Sequence, residues 1–160
     1  MDKEIKQIVF SANREEASAA RKHLLSLKKN LLPGLSKLLS SSCIKSQCET
    51  VYIIGCMGKD ATTAIPDVAK LYDDVSAELR REVVATLGRV GSHVELSLTI
   101  LKQALADECF HVRRYAVAAI GEFSTTDIVQ HDVVSSLQAA LADNDSHVRS
   151  FSQEILDTVS

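Results

Sequence analysis

An Asp, an Arg and a Gly recur along this chain at a fixed spacing, with the Arg six residues after the Asp and the Gly eight residues after the Arg. The pattern occurs as Asp74, Arg80 and Gly88, as Asp107, Arg113 and Gly121, and, without the glycine, as Asp143 and Arg149. The three arginines are 33 and then 36 residues apart. A period of this length, filled with helix-forming residues and without strand-like alternation, is typical of stacked two-helix units. The pattern therefore predicts an all-α repeat fold, in which these polar residues have a structural role before any chemical one.

Apolar residues spaced by three and four positions, as in Leu79, Val83 and Leu87, predict helices along the whole chain. Pro33 and Pro66 fall near predicted helix starts, where the missing amide hydrogen costs little. At 160 residues and 46% hydrophobic, the chain can bury a continuous core, so we expect residues 1–160 to form a single domain. The predicted helices lie at roughly 2–11, 13–29, 31–41, 45–57, 61–73, 76–90, 94–106, 109–123, 129–142 and 146–159, which pair into about five hairpins.

Glycines occupy one position in several of the predicted second helices, close to the end of each helix. They are Gly55, Gly88 and Gly121. A glycine inside a helix costs ~1 kcal/mol relative to alanine, so a compensating packing role is expected. We predict that these glycines let a neighbouring helix approach closely.

Two segments carry a resemblance to a known repeat. The strings VRRYAVAAIG, from Val112 to Gly121, and LRREVVATLGRVG, from Leu79 to Gly91, resemble the second helix of the short bacterial HEAT-like repeat, similar to those of phycobilisome lyase subunits. The resemblance implies a right-handed α-solenoid of about five HEAT-like hairpins. It is good over residues 61–160 and weaker upstream, so we expect repeats over 31–160 and an atypical capping hairpin over 1–30.

The resemblance also assigns a role to the recurring Asp and Arg. In HEAT-like repeats these residues form a ladder of ion pairs and hydrogen bonds that joins neighbouring repeats, and a planar guanidinium can bridge two partners. The ladder carries over to Asp74 with Arg80, Asp107 with Arg113, and Asp143 with Arg149. We therefore predict a structural and not a catalytic role for them.

The outer face of the second helices is the predicted binding surface, because the resemblance implies that it lines the concave side of the solenoid. The repeat does not fix these positions, which mix aromatic and charged side chains as protein interfaces do. The candidate binding residues are Glu49, Tyr52, Arg81, Glu82, Arg89, Arg114, Tyr115 and Glu122. The alternative is that exposed helix positions simply vary.

Phe151 is an exception within the last predicted helix. It falls at a predicted exposed position, while Ile155 and Val159 continue an apolar stripe. Terminal repeats normally present a polar outer face. Our hypothesis is that this C-terminal end packs on a partner or on another copy of the chain.

The sequence gives little sign of a metal site or a catalytic site. Cys43, Cys48 and Cys56 are separated by five and eight residues, which is not the tight pairing typical of zinc sites. The chain has no His-Glu dipeptide of the kind with which some HEAT-like enzymes bind a di-iron centre, and no phosphate loop or nucleophile elbow. We therefore predict no catalytic residues, no metal and no cofactor.

Charge is distributed unevenly along the chain. Residues 1–60 carry a net charge of +4 and residues 61–160 a net charge of −7. An acidic repeat region without tryptophan does not favour nucleic-acid binding. The sequence contains neither an apolar run of the ~20 residues that span a bilayer nor a typical secretion signal, so we expect a cytoplasmic protein without a membrane partner.

These features favour a non-enzymatic scaffold or adaptor that binds another protein, of unknown identity, through the concave face. Two alternatives remain open. One is a bilin lyase-like accessory subunit, which rests on the repeat resemblance alone. The other is a nucleic-acid-binding HEAT-like protein, whose affinity would fall steeply with salt.

Overall fold

The computed structural model describes residues 31–73 and 76–159, and within these ranges the chain is helical and has no β-strand. Two 3₁₀ segments, Gly58–Ala64 and Lys70–Asp73, flank the short helix Ile65–Ala69. The helices are α1 Leu32–Leu39, α2 Ile44–Met57, α3 Ile65–Ala69, α4 Ala77–Val90, α5 Val94–Ala104, α6 Phe110–Ile120, α7 Thr125–Gln130, α8 Val134–Ala140 and α9 Ser146–Val159. The predicted helices 2–11 and 13–29, the capping hairpin and Asp74 lie outside the described residues.

The second helices of the hairpins, α2, α4, α6 and α9, stack in chain order. Helix α4 lies between α2 and α6 and packs extensively against both, and α9 follows against α6. This serial packing gives one continuous apolar core from Leu31 to Leu156. The predicted all-α solenoid is confirmed.

Helix α4 shows how the sequence defines one repeat. Ser76 precedes the helix, and its side chain accepts a hydrogen bond from the amide of Leu79. Gly91 ends it in the left-handed conformation, with φ of 57°, which favours glycine. Between these ends Val83 and Leu87 are completely buried, so the spacing of three and four residues turns one face to the core.

The predicted close approach of helices at the glycines is confirmed at two positions. A Cβ on Gly88 would lie 2.7 Å from the Cβ of Ala119, and one on Gly55 would lie 2.7 Å from Oγ1 of Thr86. At Gly121 the prediction is wrong, because a Cβ there would find its nearest atom, the Ala118 carbonyl oxygen, at 3.4 Å. Helices α4 and α6 therefore touch at Gly88, whereas α6 and α9 remain further apart at Gly121.

The helix predicted at 61–73 is broken into three short pieces. Pro66 stands at the start of α3, where it cannot donate a hydrogen bond and its ring excludes the carbonyl four residues earlier. That carbonyl, of Thr62, accepts instead from the amide of Ile65 and lies 3.2 Å from Nε2 of His93. The α-helix cannot extend upstream, and the chain adopts 3₁₀ geometry on both sides of α3.

The helix predicted at 129–142 starts later, as α8 at Val134, and the separate helix α7 lies mostly in the predicted loop before it. Ser124 caps α7 by accepting the amide hydrogen of Asp127 at 3.1 Å. Asp132 then takes a left-handed φ of 53°, and the amide of Val133 donates back to the Ile128 carbonyl. This is the hydrogen bond of a helix-ending motif, so α7 ends where the sequence had predicted continuous helix. The break falls in the repeat that is three residues longer than the others.

Candidate functional site

Arg113 shows the connectivity of the ladder between repeats. Its Nε and Nη2 donate to the carboxylate of Asp143 in the next repeat at 2.6 and 3.0 Å. Its Nη1 donates to the main-chain oxygen of Asp107 in its own repeat at 2.9 Å. Both charged side chains are largely buried. One guanidinium therefore joins the turn of its own repeat to the aspartate of the following one.

The previous step of the ladder has the same geometry. Arg80 donates through Nε and Nη2 to the carboxylate of Asp107 at 2.7 and 2.9 Å. That carboxylate also accepts from the amide of Cys109 at 2.9 Å and from the hydroxyl of Tyr72 at 3.3 Å. Burial, together with the charge and hydrogen bond of Asp107, raises the pKa of Tyr72 to about 12. Asp107 is therefore the acceptor for three separate parts of the chain.

The observed pairing differs in one respect from the pairing implied by the sequence. Each carboxylate binds the arginine of the preceding repeat, whereas the arginine six residues later donates to the main-chain oxygen of that aspartate. Arg149 makes the main-chain bond, to Asp143 at 2.7 Å. The reason is geometric. The carboxylate of Asp107 accepts the amide hydrogen of Cys109, and that of Asp143 accepts the amide hydrogen of Asp145. This bond to the residue two positions downstream orients the second carboxylate oxygen toward the arginine of the preceding repeat.

Hydrogen bonding to the charged form lowers the pKa values of the ladder carboxyls. At Asp107 burial acts to raise the pKa, but the bonds from Arg80 and from the Cys109 amide outweigh it, and the pKa is lowered. At Asp143 the hydrogen bond from Arg113 is the largest effect, and the pKa is again lowered. Asp145 is shifted in the same direction, chiefly by Arg114.

These shifts predict acid-sensitive stability. A carboxyl with a lowered folded pKa stabilises the fold above its unfolded pKa, ~3.9, and loses this contribution as the pH falls toward the folded value. We expect the free energy of unfolding, measured in urea from pH 7 to pH 2.5, to fall steadily below about pH 5. The Asp143→Asn variant should show a shallower fall, and an identical pH dependence in both proteins would contradict the role of this carboxylate.

The second-helix face, defined here as the side chains of Tyr52, Arg81, Glu82, Arg89 and Tyr115, brings most of the predicted binding residues together. The guanidinium carbon of Arg89 on α4 lies 5.3 Å from the ring centroid of Tyr52 on α2. That of Arg81, also on α4, lies 5.7 Å from the ring centroid of Tyr115 on α6. Nη2 of Arg81 further donates to Glu82 at 2.9 Å. Two arginines of one helix thus stack on tyrosines of the helices on either side.

A shallow depression lies between the two stacked pairs. Its volume is about 140 Å³, and its floor is formed by small residues around the close contact of α4 and α6. The side chains of Arg89, Tyr115 and Glu122 stand around it. Tyr115 is 42% exposed, and Arg89 and Glu122 are also exposed. Glu49, the remaining predicted residue of α2, is half-buried.

Arg114 does not join this face. Its Nε and Nη2 donate to the carboxylate of Asp145 at 2.9 and 2.6 Å, and its guanidinium lies over the ring of Phe110 at 5.0 Å. Asp145 in turn accepts from the amides of His147 and Val148 at the start of α9. Sequence reasoning did not identify Asp145, although its position two residues after the ladder Asp143 was a usable signal. Arg114 therefore belongs to the contacts that join repeats.

Other classes of site receive no support from the described residues. Over 31–73 and 76–159 the structure has no group of three or more His, Cys, Asp or Glu side chains arranged to hold a metal ion. Within the same residues, no helix combines the length and the apolar character needed to span a bilayer. Cys48 is buried in the core, and Cys43 and Cys56 are exposed free thiols.

No protein-family model matches this sequence, and neither does any curated protein. Solved structures of helical repeat proteins do match. A designed armadillo repeat protein in complex with the peptide (KR)4 is 18% identical with a TM-score of 0.73, over 100% of this chain and 82% of that one. The complex of CpcE and CpcF of phycocyanin lyase from Nostoc sp. PCC7120 is 17% identical, also at 0.73, over 94% and 96%. Cex1p is 17% identical at 0.69, over 97% of this chain and 34% of that one.

These likenesses define the class of protein. At such low identities they show the fold alone, which is that of armadillo and HEAT-like repeats. The chain thus has the fold of a HEAT-like helical repeat protein, in agreement with the resemblance of its second helices.

Proposed function

We propose that this protein is a scaffold that binds another protein through the second-helix face. The observation that carries the proposal is the pair of stacked contacts, Arg89 over Tyr52 and Arg81 over Tyr115. Tyrosine and arginine are the residue types that most often dominate binding energy at protein interfaces. The ladder already joins the repeats, so it does not account for these side chains, of which Arg89 and Tyr115 are exposed and Tyr52 and Arg81 are half-buried.

The arrangement suits recognition of a polypeptide. Stacking restricts the arginine side chains before a partner arrives, which reduces the conformational entropy lost on binding. The guanidinium groups can donate to carboxylates and main-chain oxygens, while the tyrosine rings offer apolar area with a polar edge. The shallow depression of about 140 Å³ is open and suits one side chain of a partner better than an enclosed small molecule.

Two structural neighbours support a protein partner. The designed armadillo repeat protein is seen with a peptide, and CpcE is seen with CpcF. The CpcE and CpcF complex matches over nearly the full length of both chains. It therefore supports the alternative function, an accessory role in a lyase-type assembly. That alternative requires a spectral change when a bilin is added to the protein, and its absence would remove the alternative.

The proposal predicts that Arg81→Ala combined with Tyr115→Ala weakens partner binding without unfolding the protein. Peptides selected from a random display library on the wild-type protein would serve as ligands. Loss of two central interface side chains should reduce affinity by roughly 30- to 1000-fold, at about 1–2 kcal/mol each. Isothermal titration calorimetry would measure the affinity, and urea unfolding would confirm that the variant is folded.

A matched control removes two exposed side chains from a first helix. Glu95→Ala combined with Gln103→Ala lies on α5, away from the stacked pairs. This control should bind the selected peptides as the wild type does. Equal affinities for the control and for the Arg81 and Tyr115 variant would overturn the assignment of the face.

A further inference from the structure

A second and larger concavity lies between α6, α7 and α9, beyond the stacked pairs. Its volume is about 480 Å³, within the range of sites that bind ligands. Its apolar lining includes Val117 and Ala118 of α6, Ile128 of α7, and Phe151 and Ile155 of α9. Phe151 is 44% exposed, a large hydrophobic side chain left facing solvent at the groove.

The groove follows from two local features of the last described repeat. Helices α4 and α6 are in contact at Gly88. At Gly121, the same repeat position one repeat later, an added Cβ would still lie 3.8 Å from the nearest atom of Ile155 on α9. Helix α7, which Ser124 starts and Asp132 ends, supplies Thr125 and Ile128 as the third wall. A wider spacing and an extra short helix therefore open the gap between α6 and α9.

The charge around the groove has one sign. Glu122 and Glu154 line it and are exposed, and Thr125 and Thr158 add hydroxyl groups. No lysine or arginine lines it among the described residues. The arginines of the second-helix face lie on α4, whereas the charged side chains that line the groove are acidic, Glu122 just after α6 and Glu154 on α9. A cation held beside the two carboxylates would offset their mutual repulsion.

We propose that this groove is a second binding site, which takes an apolar anchor side chain from a lysine- or arginine-rich segment of the partner protein. The apolar floor would bury the anchor, and Glu122 and Glu154 would pair with the basic residues beside it. The inference rests on the proposed function, since it names the chemistry of one segment of the partner. It also predicts how the partner is oriented, because the acidic parts of the partner would lie toward Arg81 and Arg89.

The test uses short labelled peptides and fluorescence anisotropy at low and high salt. The probe is KKLFKK, and the control peptides are KKSSKK, which lacks the anchor, and EELFEE, which reverses the charge. We expect KKLFKK to bind more tightly than either control, and its binding to weaken as salt increases. Phe151→Ser should reduce its affinity about fivefold and Glu154→Lys about tenfold.

Glu95→Lys on α5 is the matched control for the charge reversal, because it changes the net charge by the same amount at an exposed position elsewhere. It should bind KKLFKK nearly as the wild type does. Equal losses in Glu95→Lys and Glu154→Lys, or equal binding of KKLFKK and KKSSKK, would overturn the proposal. A concentration-dependent dimer that Phe151→Ser dissociates would also overturn it, since the groove would then hold a second copy of the chain. If KKLFKK does not bind while the binding of library peptides still depends on Tyr115, the groove is not a binding site and the proposed function stands.

Discussion

Replacing Asp107 with alanine is expected to lower the free energy of unfolding by about 3–5 kcal/mol, the range for breaking a buried ion pair by removing one partner. The change leaves the guanidinium of Arg80 with no carboxylate in the place of Asp107, while its side chain is only 11% exposed. It also removes the acceptor of the Cys109 amide and of the Tyr72 hydroxyl. The exposed Glu108, 3.3 Å from Arg80, offers partial compensation, which places the expected loss near the lower end of the range.

Asp67→Ala is the matched control for this loss. Asp67 also forms an ion pair, with Lys70 at 2.8 Å, but both side chains are mainly exposed. Such surface pairs contribute about 0–1 kcal/mol. Urea unfolding of both variants at pH 7 would compare the free energy that the buried ladder contributes with that of an ordinary surface ion pair. A loss at Asp107 no greater than that at Asp67 would contradict the structural role of the ladder.

Gly88→Ala is expected to be the second most damaging of these changes, with a net loss of about 2 kcal/mol. Alanine gains ~1 kcal/mol in helix propensity. The new methyl group, however, would lie 2.7 Å from the Cβ and 2.8 Å from the Cα of Ala119, so the backbone of α6 must move. Overpacking of this kind costs typically 1–3 kcal/mol and occasionally more, and a clash with backbone falls at the upper end.

Gly121→Ala provides the comparison at the same repeat position. Its Cβ would meet only ordinary contacts, and the backbone at Gly121 is right-handed, with φ of −62°. We expect a change within about 0.5 kcal/mol of zero. Ala119→Gly should recover part of the stability of Gly88→Ala, since it removes one of the two clashing atoms. Thermal unfolding of the set would show this order, and equal losses at Gly88 and Gly121 would contradict the packing described.

Much of the fold followed from sequence because its repeats use local signals. An apolar residue followed by Arg near the start of each second helix, together with the apolar spacing, placed α4, α6 and α9 to within a few residues. The first helices of the hairpins were harder to predict, because single residues, Pro66 and Asp132, interrupt segments whose apolar pattern is otherwise helical. The left-handed conformation of Asp132 in particular depends on a return hydrogen bond to Ile128, which no periodicity reveals.

The candidate site was predictable in part for the same reason. Alignment of the repeats selected Tyr52, Arg81, Arg89 and Tyr115, which the structure brings into stacked pairs. Arg114 was selected in the same way, but its guanidinium binds the carboxylate of Asp145, which the alignment of the repeats had not selected. The groove at α9 could not be predicted, because it depends on the distance between α6 and α9 and not on any residue pattern.

Two native cysteines allow the most direct test of the second-helix face. Cys56 of α2 is exposed and occupies the same repeat position as Arg89 and Glu122, which follow it at intervals of 33 residues, and Cys43 is exposed at the start of α2. The rate of maleimide labelling at each thiol would be measured with and without a bound library-selected peptide. Protein binding through the second-helix face predicts that the peptide slows labelling of Cys56 and leaves Cys43 unchanged. Protection of Cys43 with full reactivity at Cys56 would contradict it.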